Sequence, residues 1–222
     1  MKNFNLAIDG PAGAGKSTIA KRIAKQLGFI YVDTGAMYRA MALYFIRNKI
    51  SASETQKIEA ACKDVKVSIE YKNGEQLVVL NGENVNALIR TEEVGNMAST
   101  TSVNKAVRLK LVELQQELAK RENVVMDGRD IGTYVLPNAD VKIYLTASSG
   151  ERAKRRWLEL KGKGVQADIY EIEKDIIERD NRDMTRKFAP LKQAEDALYL
   201  DTSEMSIEEV VQKIVTLCKE NI

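Results

Sequence analysis

The sequence predicts an α/β fold: a P-loop core of about five parallel strands flanked by helices, with a small antiparallel β insert in mid-chain. Three observations predict it. Strand-like and helical runs alternate over both ends of the chain, as they do when crossover helices join parallel strands. The first apolar run leads into GPAGAGKST, which fits G-x-x-x-x-G-K-S/T from Gly10 to Ser17. In the middle, the period changes to strict alternation punctuated by two Asn-Gly pairs.

The first strand is the apolar run Phe4 to Ile8, and Ile19, Ala20, Ile23, Ala24 and Leu27 then recur at helical spacing up to Gly28, a stop signal. Strand, loop and helix therefore stand in the order a phosphate-binding loop requires. Its glycines let backbone N–H groups converge on an anion at a helix N-terminus, where the macrodipole favours negative charge. The expected triphosphate-binding run is Gly10, Pro11, Ala12, Gly13, Ala14, Gly15, Lys16, Ser17 and Thr18. Lys16 is suited to the β- and γ-phosphates, and the Ser17 hydroxyl to Mg²⁺. A glycine-rich turn matching by chance is the alternative, and the flanking elements weigh against it.

Later strands are expected at Phe29 to Val32, Asn123 to Met126, Val141 to Leu145 and Ala197 to Leu200. Three S-x-x-E capping boxes mark helix starts: Ser51 to Glu54, Ser148 to Glu151, and Ser206 to Glu209. The last opens a helix with Val210, Val211, Ile214, Val215 and Leu217 as its apolar face. In the insert, Val65, Val67, Ile69 and Tyr71 share one face, with Lys66, Ser68 and Glu70 on the other. Asn73-Gly74, the run Leu77 to Leu80 and Asn81-Gly82 follow, so an antiparallel meander is expected. Such an insert is either a specificity element or an excursion without a role.

Composition narrows the function. The chain has 222 residues, 44% hydrophobic and 30% charged, with a net charge of +2, so the bulk balance does not argue for nucleic acid or a membrane surface. Two cysteines, Cys62 and Cys218, match neither a metal spacing nor a disulfide framework, which points to a reducing cytoplasm. No apolar run approaches the ~20 residues that span a bilayer, and the start of the chain reads as a strand rather than a signal peptide. There is no histidine, which excludes Ser-His-Asp and Cys-His hydrolases and histidine-ligated metals.

Four stretches concentrate arginines and carboxylates: DTGAMYR (Asp33 to Arg39), MDGRDIGT (Met126 to Thr133), ERAKRR (Glu151 to Arg156) and ERDNRDMTRKFAPL (Glu178 to Leu191). Two lie at strand ends, where open α/β sheets place ligands. Asp127 reads as an acidic partner of Mg²⁺, or as a turn residue closing its strand. Arg152, Lys154, Arg155 and Arg156 read either as a solvated helix face or as an arginine-bearing lid ahead of the cationic Lys161-Gly162-Lys163-Gly164. Arg179, Arg182 and Arg186, with Asp180 and Asp183, recur three to four residues apart, so one helical face presents several together. Guanidinium forks suit phosphate, although internal Arg–Asp pairing satisfies the same pattern.

Together these stretches resemble the bacterial cytidylate kinases, nucleoside monophosphate (NMP) kinases of the P-loop class. The resemblance runs from the P-loop through D-T-G-A-M-Y-R, I-R-T-E-E-V, D-G-R-D-I-G-T and R-D-x-x-R-x-x-A-P-L to the last helix, nearly the whole chain. It implies transfer of the γ-phosphoryl group of ATP to CMP or dCMP, with Mg²⁺, by a cytoplasmic monomer that binds neither nucleic acid nor membrane. The implied organisation is one domain: a core of 1–33, 121–150 and 188–222, an NMP-binding region of 34–120 with its insert at about 62–93, a lid of 151–168 and an arginine-rich helix of 169–187. Carried over by position, cytosine contacts fall on Ser99, Arg108 and Asp130, and ribose contacts on Arg179 and Asp183. Acceptor-phosphate contacts fall on Thr34, Tyr38, Arg39, Arg129 and Arg186. Members often carry serine at the place of Thr34, which keeps the hydroxyl; Tyr38 also fits ordinary helix packing. Transition-state charge is assigned to Lys16, Arg39, Arg129, Arg155 and Arg186, with Asp127 and Ser17 on the metal, Asp127 through water.

Three rivals stand beside this. The nearest is an NMP kinase for UMP or AMP. A P-loop switch is the second, but both Asn-Lys pairs, at Asn48 and Asn104, lack the aspartate of the guanine-reading N-K-x-D. A non-enzymatic nucleotide or nucleic-acid binder rests on local basic clusters alone.

Overall fold

The computed structural model describes residues 3–72 and 74–222. In chain order the elements are β1 (Asn5–Asp9), α1 (Lys16–Leu27), β2 (Ile30–Asp33), α2 (Thr34–Arg47), α3 (Thr55–Asp64), β3 (Val67–Lys72), β4 (Glu75–Leu80), β5 (Glu83–Asn84), α4 (Glu92–Thr101), α5 (Lys105–Arg121), β6 (Val124–Gly128), a π-helical turn (Ile131–Val135), β7 (Val141–Thr146), α6 (Ser149–Gly162), α7 (Ile169–Thr185), β8 (Leu198–Asp201) and α8 (Ile207–Lys219). They divide into two compact units, one of residues up to 31 together with 123–222, the other of residues 32–122.

The first unit is built on the parallel sheet, ordered β2-β6-β1-β7-β8. Central β1 pairs in parallel with β6, Leu6 opposite Val125 and Ile8 opposite Asp127, and with β7, Ile8 opposite Ile143. Leu6, Ala7 and Ile8 are all fully buried, because helices cover both faces of a parallel sheet; hence a continuous apolar run rather than an alternating one. All five expected strands form, each ending about one residue later than the apolar run. The added residues are polar or glycine: Asp9, Asp33, Asp127 with Gly128, Thr146 and Asp201. Ile19, Ile23, Ile143, Leu145, Leu200, Val211 and Ile214 join β1 in one core cluster. Each such side chain contributes ~1.5–3 kcal/mol over leaving it in water.

The expected face of α8 needs one correction. Val210, Val211, Ile214 and Val215 are buried, but Leu217 is only partly covered and Cys218 is fully buried. At 3.6 residues per turn, position 218 stacks on 211 and 214 whereas 217 has rotated off that stripe. Both halves of the Ser206–Glu209 capping box form, and Ser148 Oγ accepts from Glu151 N–H at 3.2 Å. The pair Ser51 and Glu54 does not open a helix directly. Glu54 Oε2 accepts from Ser51 N–H and Glu54 N–H donates to Ser51 O, closing a turn, and α3 begins one residue later.

In the second unit β3, β4 and β5 form the expected antiparallel meander, with Ile69 opposite Val78 and Tyr71 opposite Gln76. Val67, Ile69 and Tyr71 are half-buried while Ser68, Glu70 and Lys72 are exposed. Val65 is buried but belongs to the end of α3, because its N–H closes that helix on Ala61 O. Asn81 and Gly82 both take positive φ, 50° and 88°, as a tight hairpin turn requires. Asn73, of the other Asn-Gly pair, lies outside the described residues. Among the described residues no helix is long and apolar enough to cross a membrane.

Candidate nucleotide site

At the carboxyl end of β1 the backbone turns through Gly10, where a Cβ would lie 1.9 Å from Leu145 O; only glycine fits. Gly15, at φ 88°, supplies the left-handed step into α1, whose first turn carries no acidic residue and so leaves its N–H groups and dipole open to an anion. Lys16 is buried, and its Nζ donates to Gly10 O at 2.7 Å and Pro11 O at 2.6 Å. Burial, then the Arg129 charge, lower its pKa well below the usual lysine value. Ser17 Oγ donates to Asp127 Oδ2 at 2.9 Å, and Tyr31 Oη to Asp127 Oδ1 at 2.9 Å.

The loop is also held from behind. Ala12 N–H donates to Asp180 Oδ1 at 2.9 Å, while Arg152 Nη1 donates to Ala12 O at 2.8 Å and to Asp180 Oδ2 at 2.5 Å. Arg152 is therefore not a solvated charge. Its side chain is buried against the loop, and of its stretch only Lys154 and Arg156 carry well-exposed side chains. Arg155 Nη2 donates to Thr202 O at 2.7 Å and Nη1 to Thr202 Oγ1 at 3.3 Å. Those two bonds tie Arg155 to the residue that follows β8.

Arg129, Asp130, Asp183 and Arg186 form one network. Arg129 Nε donates to Asp183 Oδ2 at 2.8 Å; Arg186 lies 3.3 Å from Asp130 Oδ1 and 3.5 Å from Asp183 Oδ1. Burial works against the charges of Arg129 and Asp183, yet their pairing outweighs it, raising the pKa of the first and lowering that of the second. The Ala-Pro after α7 has a local reason: Ala189, at φ 47°, turns its carbonyl to accept from Arg186 Nε at 2.7 Å. Arg179 is half-buried in α7, and its charge acts on both Lys16 and Asp183.

Asp9 is a site residue the motifs did not single out. Buried at the end of β1, it accepts from Ile131 N–H at 2.8 Å and Gly132 N–H at 2.7 Å, the first two donors of the π-helical turn after Asp130. Burial pushes its pKa up to about 7. The signal available in sequence was a carboxylate closing a buried strand directly before the P-loop. Tyr31 and Arg152 offered none, since a tyrosine in a strand and an arginine in a charge run look ordinary.

The other expected acceptor residues lie in the second unit. Thr34 is buried in the first turn of α2, one residue after the N-cap Asp33. Arg39 Nη1 donates to Ile89 O at 3.1 Å. Arg108 is 1% exposed, with its guanidinium 5.3 Å from the Tyr38 ring centroid and Nη1 donating to Ser102 O at 3.2 Å. Ser99 is buried one helical turn before Ser102, whose Oγ donates to Ser99 O. Tyr38, Ser99 and Arg108 thus share one neighbourhood of α2, α4 and α5, a polar patch inside an apolar packing layer.

Fold and site together define a nucleotide-dependent phosphotransferase of the P-loop class. The cytidylate kinase family description matches residues 6–220. The curated cytidylate kinase of Caldicellulosiruptor bescii is 55% identical over 217 residues, spanning 98% of this chain and 96% of that protein. That of a Geobacillus species is 49% identical over 220 residues, spanning 99% and 98%. The chain belongs to the cytidylate kinase family. A solved structure of an uncharacterized protein from Eubacterium ventriosum shares the fold alone, at TM-score 0.56 and 10% identity over 98% of this chain and 99% of that one.

Proposed function

We propose that this chain transfers the γ-phosphoryl group of ATP to CMP and dCMP, giving CDP and dCDP. The observation that carries it is the Arg129–Asp183–Arg186–Asp130 network in the same unit as the P-loop Lys16. Two polyanions react only if their repulsion is screened, and phosphoryl transfer is mainly positioning and charge stabilisation. The acceptor oxygen belongs to a phosphate whose second pKa is about 6, so it is largely ionised at neutral pH. No histidine base is needed, and the chain has none.

In this reading the run Gly10 to Thr18 holds the ATP phosphates, and Lys16 leaves the Gly10 and Pro11 carbonyls for phosphate oxygens. For the acceptor phosphate the first unit supplies Arg129 and Arg186, and the second supplies Thr34, Tyr38 and Arg39. Arg179 and Asp183 take the ribose. Asp130 accepts from the exocyclic amine of cytosine while Arg108, with Ser99, donates to its ring acceptors. The Ser17 hydroxyl and the Asp127 carboxylate, already in contact, are hard oxygen donors that suit Mg²⁺, which keeps most of its shell as waters and substrate phosphate. When bound, Mg²⁺ supplies charge neutralisation on the phosphates. Two buried, unpaired cysteines suit a reducing cytoplasm, and the function requires only small-molecule partners and a monomer.

The test is one coupled assay with CMP, dCMP, UMP and AMP as acceptors. CMP and dCMP should be used best. UMP should fall by at least about 100-fold in kcat/KM, because its carbonyl meets the acceptor built for an amine. Diphosphate formation that is no faster with CMP than with AMP, or hydrolysis independent of any acceptor, would sink the proposal.

A further inference from the structure

Asp33 ends β2 and caps α2, and three segments of its own unit converge on it. Its Oδ1 accepts from Ala36 N–H at 2.9 Å, the ordinary N-cap bond. Arg90 Nη2 donates to its Oδ2 at 2.7 Å. Gln76, in the insert strand β4, closes a two-bond ring on its backbone: Asp33 N–H donates to Gln76 Oε1 at 2.8 Å, and Gln76 Nε2 donates to Asp33 O at 3.2 Å. An amide side chain thus supplies Asp33 with both partners a neighbouring strand would have supplied.

Gln76 is itself held in place. β5 pairs only at Val79 and Leu80, and beyond it the Asn86 side chain continues the ladder. Asn86 Oδ1 accepts from Val78 N–H at 2.8 Å, and Nδ2 donates to Gln76 O at 2.8 Å. The Arg90 side chain is 56% exposed, so water screens most of its attraction for Asp33. The two Gln76 bonds are partly buried and directional, and they carry the geometry.

We infer that Gln76 is a positioning residue: through it the antiparallel insert sets the first turn of α2, and with it the reach of Thr34, Tyr38 and Arg39. This rests on the acceptor-phosphate reading of those three side chains. The insert is then a working part of acceptor binding rather than an excursion. Gln76 touches no reacting atom and acts only through Asp33.

The test is Gln76→Leu, which keeps the volume and removes both bonds. CMP KM should rise about tenfold, while ATP KM and kcat at saturating CMP stay within about twofold. Amide exchange over Ala36–Ala40 should quicken, with the melting temperature near that of the parent. Gln76→Met serves if the leucine variant does not fold. A parental CMP KM, or equal rises in both KM values with a lowered melt, overturns the inference. Arg39→Ala in the same assay separates the two claims. If it leaves CMP KM unchanged, the acceptor reading of α2 fails, and the exchange rates alone then decide whether Gln76 sets that turn.

Discussion

Lys16 and Asp183 are buried charges of opposite fate. Lys16 donates to two backbone carbonyls, and burial with the Arg129 charge outweighs the pull of Asp127 and Asp9, so its ammonium is held at a cost that a polyphosphate removes. Asp183 lies between Arg129 and Arg186, so attraction wins over burial and its carboxylate stays ionised. That makes Asp183 the more revealing residue to alter. Asp183→Asn keeps the shape and one acceptor oxygen but removes the charge that holds two arginines apart from solvent. CMP KM should rise at least about tenfold, with ATP binding nearly unchanged, since the P-loop bonds involve other groups. Steady-state kinetics with each substrate varied in turn decide it, and equal CMP dependence in the two proteins would remove Asp183 from the acceptor site.

Among elements, α6 departs furthest from its sequence pattern. Its ERAKRR stretch reads as a uniform charge run, yet one arginine is buried and two neighbouring positions are not. Periodicity says that every third or fourth residue shares a face; it does not say whether an arginine stem can reach a loop carbonyl across the fold. Arg152 reaches Ala12 O and Asp180, which in turn holds Ala12 N–H, so one residue of the P-loop is clamped through the peptide groups on both its sides. The same limit applies to Asp9, Tyr31 and Gln76, whose partners lie 123, 96 and 43 residues away. By contrast the strands, the P-loop and the meander were readable because each is specified by neighbours in sequence. Arg152→Met should leave Asp180 as an uncompensated buried carboxylate and cost ~3–5 kcal/mol of stability. The melt should recover partly in the Arg152→Met, Asp180→Asn double variant, because the stranded charge is then gone; a double variant no more stable than the single one would mean that the pair is not the source of the loss. The same clamp anchors the start of α6.

For the whole molecule, the absence of histidine makes the pH dependence of stability simple to interpret. No side chain has an ordinary pKa between ~5 and 8 apart from a histidine, so a slope in that window must come from a displaced group. Asp9 is such a group, raised from 3.8 to about 7 by burial, although Ile131 and Gly132 donate to it. The folded protein therefore binds this proton more tightly than the unfolded chain does. Its contribution to stability is fully present below pH ~4 and is lost as pH rises from there through about 7. Asp183, whose pKa is lowered, acts with the opposite sign and only at lower pH, its contribution being lost on acidification below the ordinary carboxylate value. Lys16, also lowered, adds stability as pH rises towards the ordinary lysine value. Comparing the parent with Asp9→Asn cancels the Asp183 contribution and most of that of Lys16, on which burial, Arg129 and Asp127 act more strongly than Asp9 does. The difference in melting temperature, variant minus parent, should move in favour of the variant between pH 5 and pH 8. At pH 5 the variant should be the less stable of the two, because its amide NH₂ faces a backbone N–H that the carboxyl oxygen had accepted. Melting curves of the nucleotide-free proteins at pH 5, 6, 7 and 8 measure this directly. A difference that stays constant across the four would mean that Asp9 keeps its ordinary pKa, and that the two N–H donors of the π-helical turn compensate its burial in full.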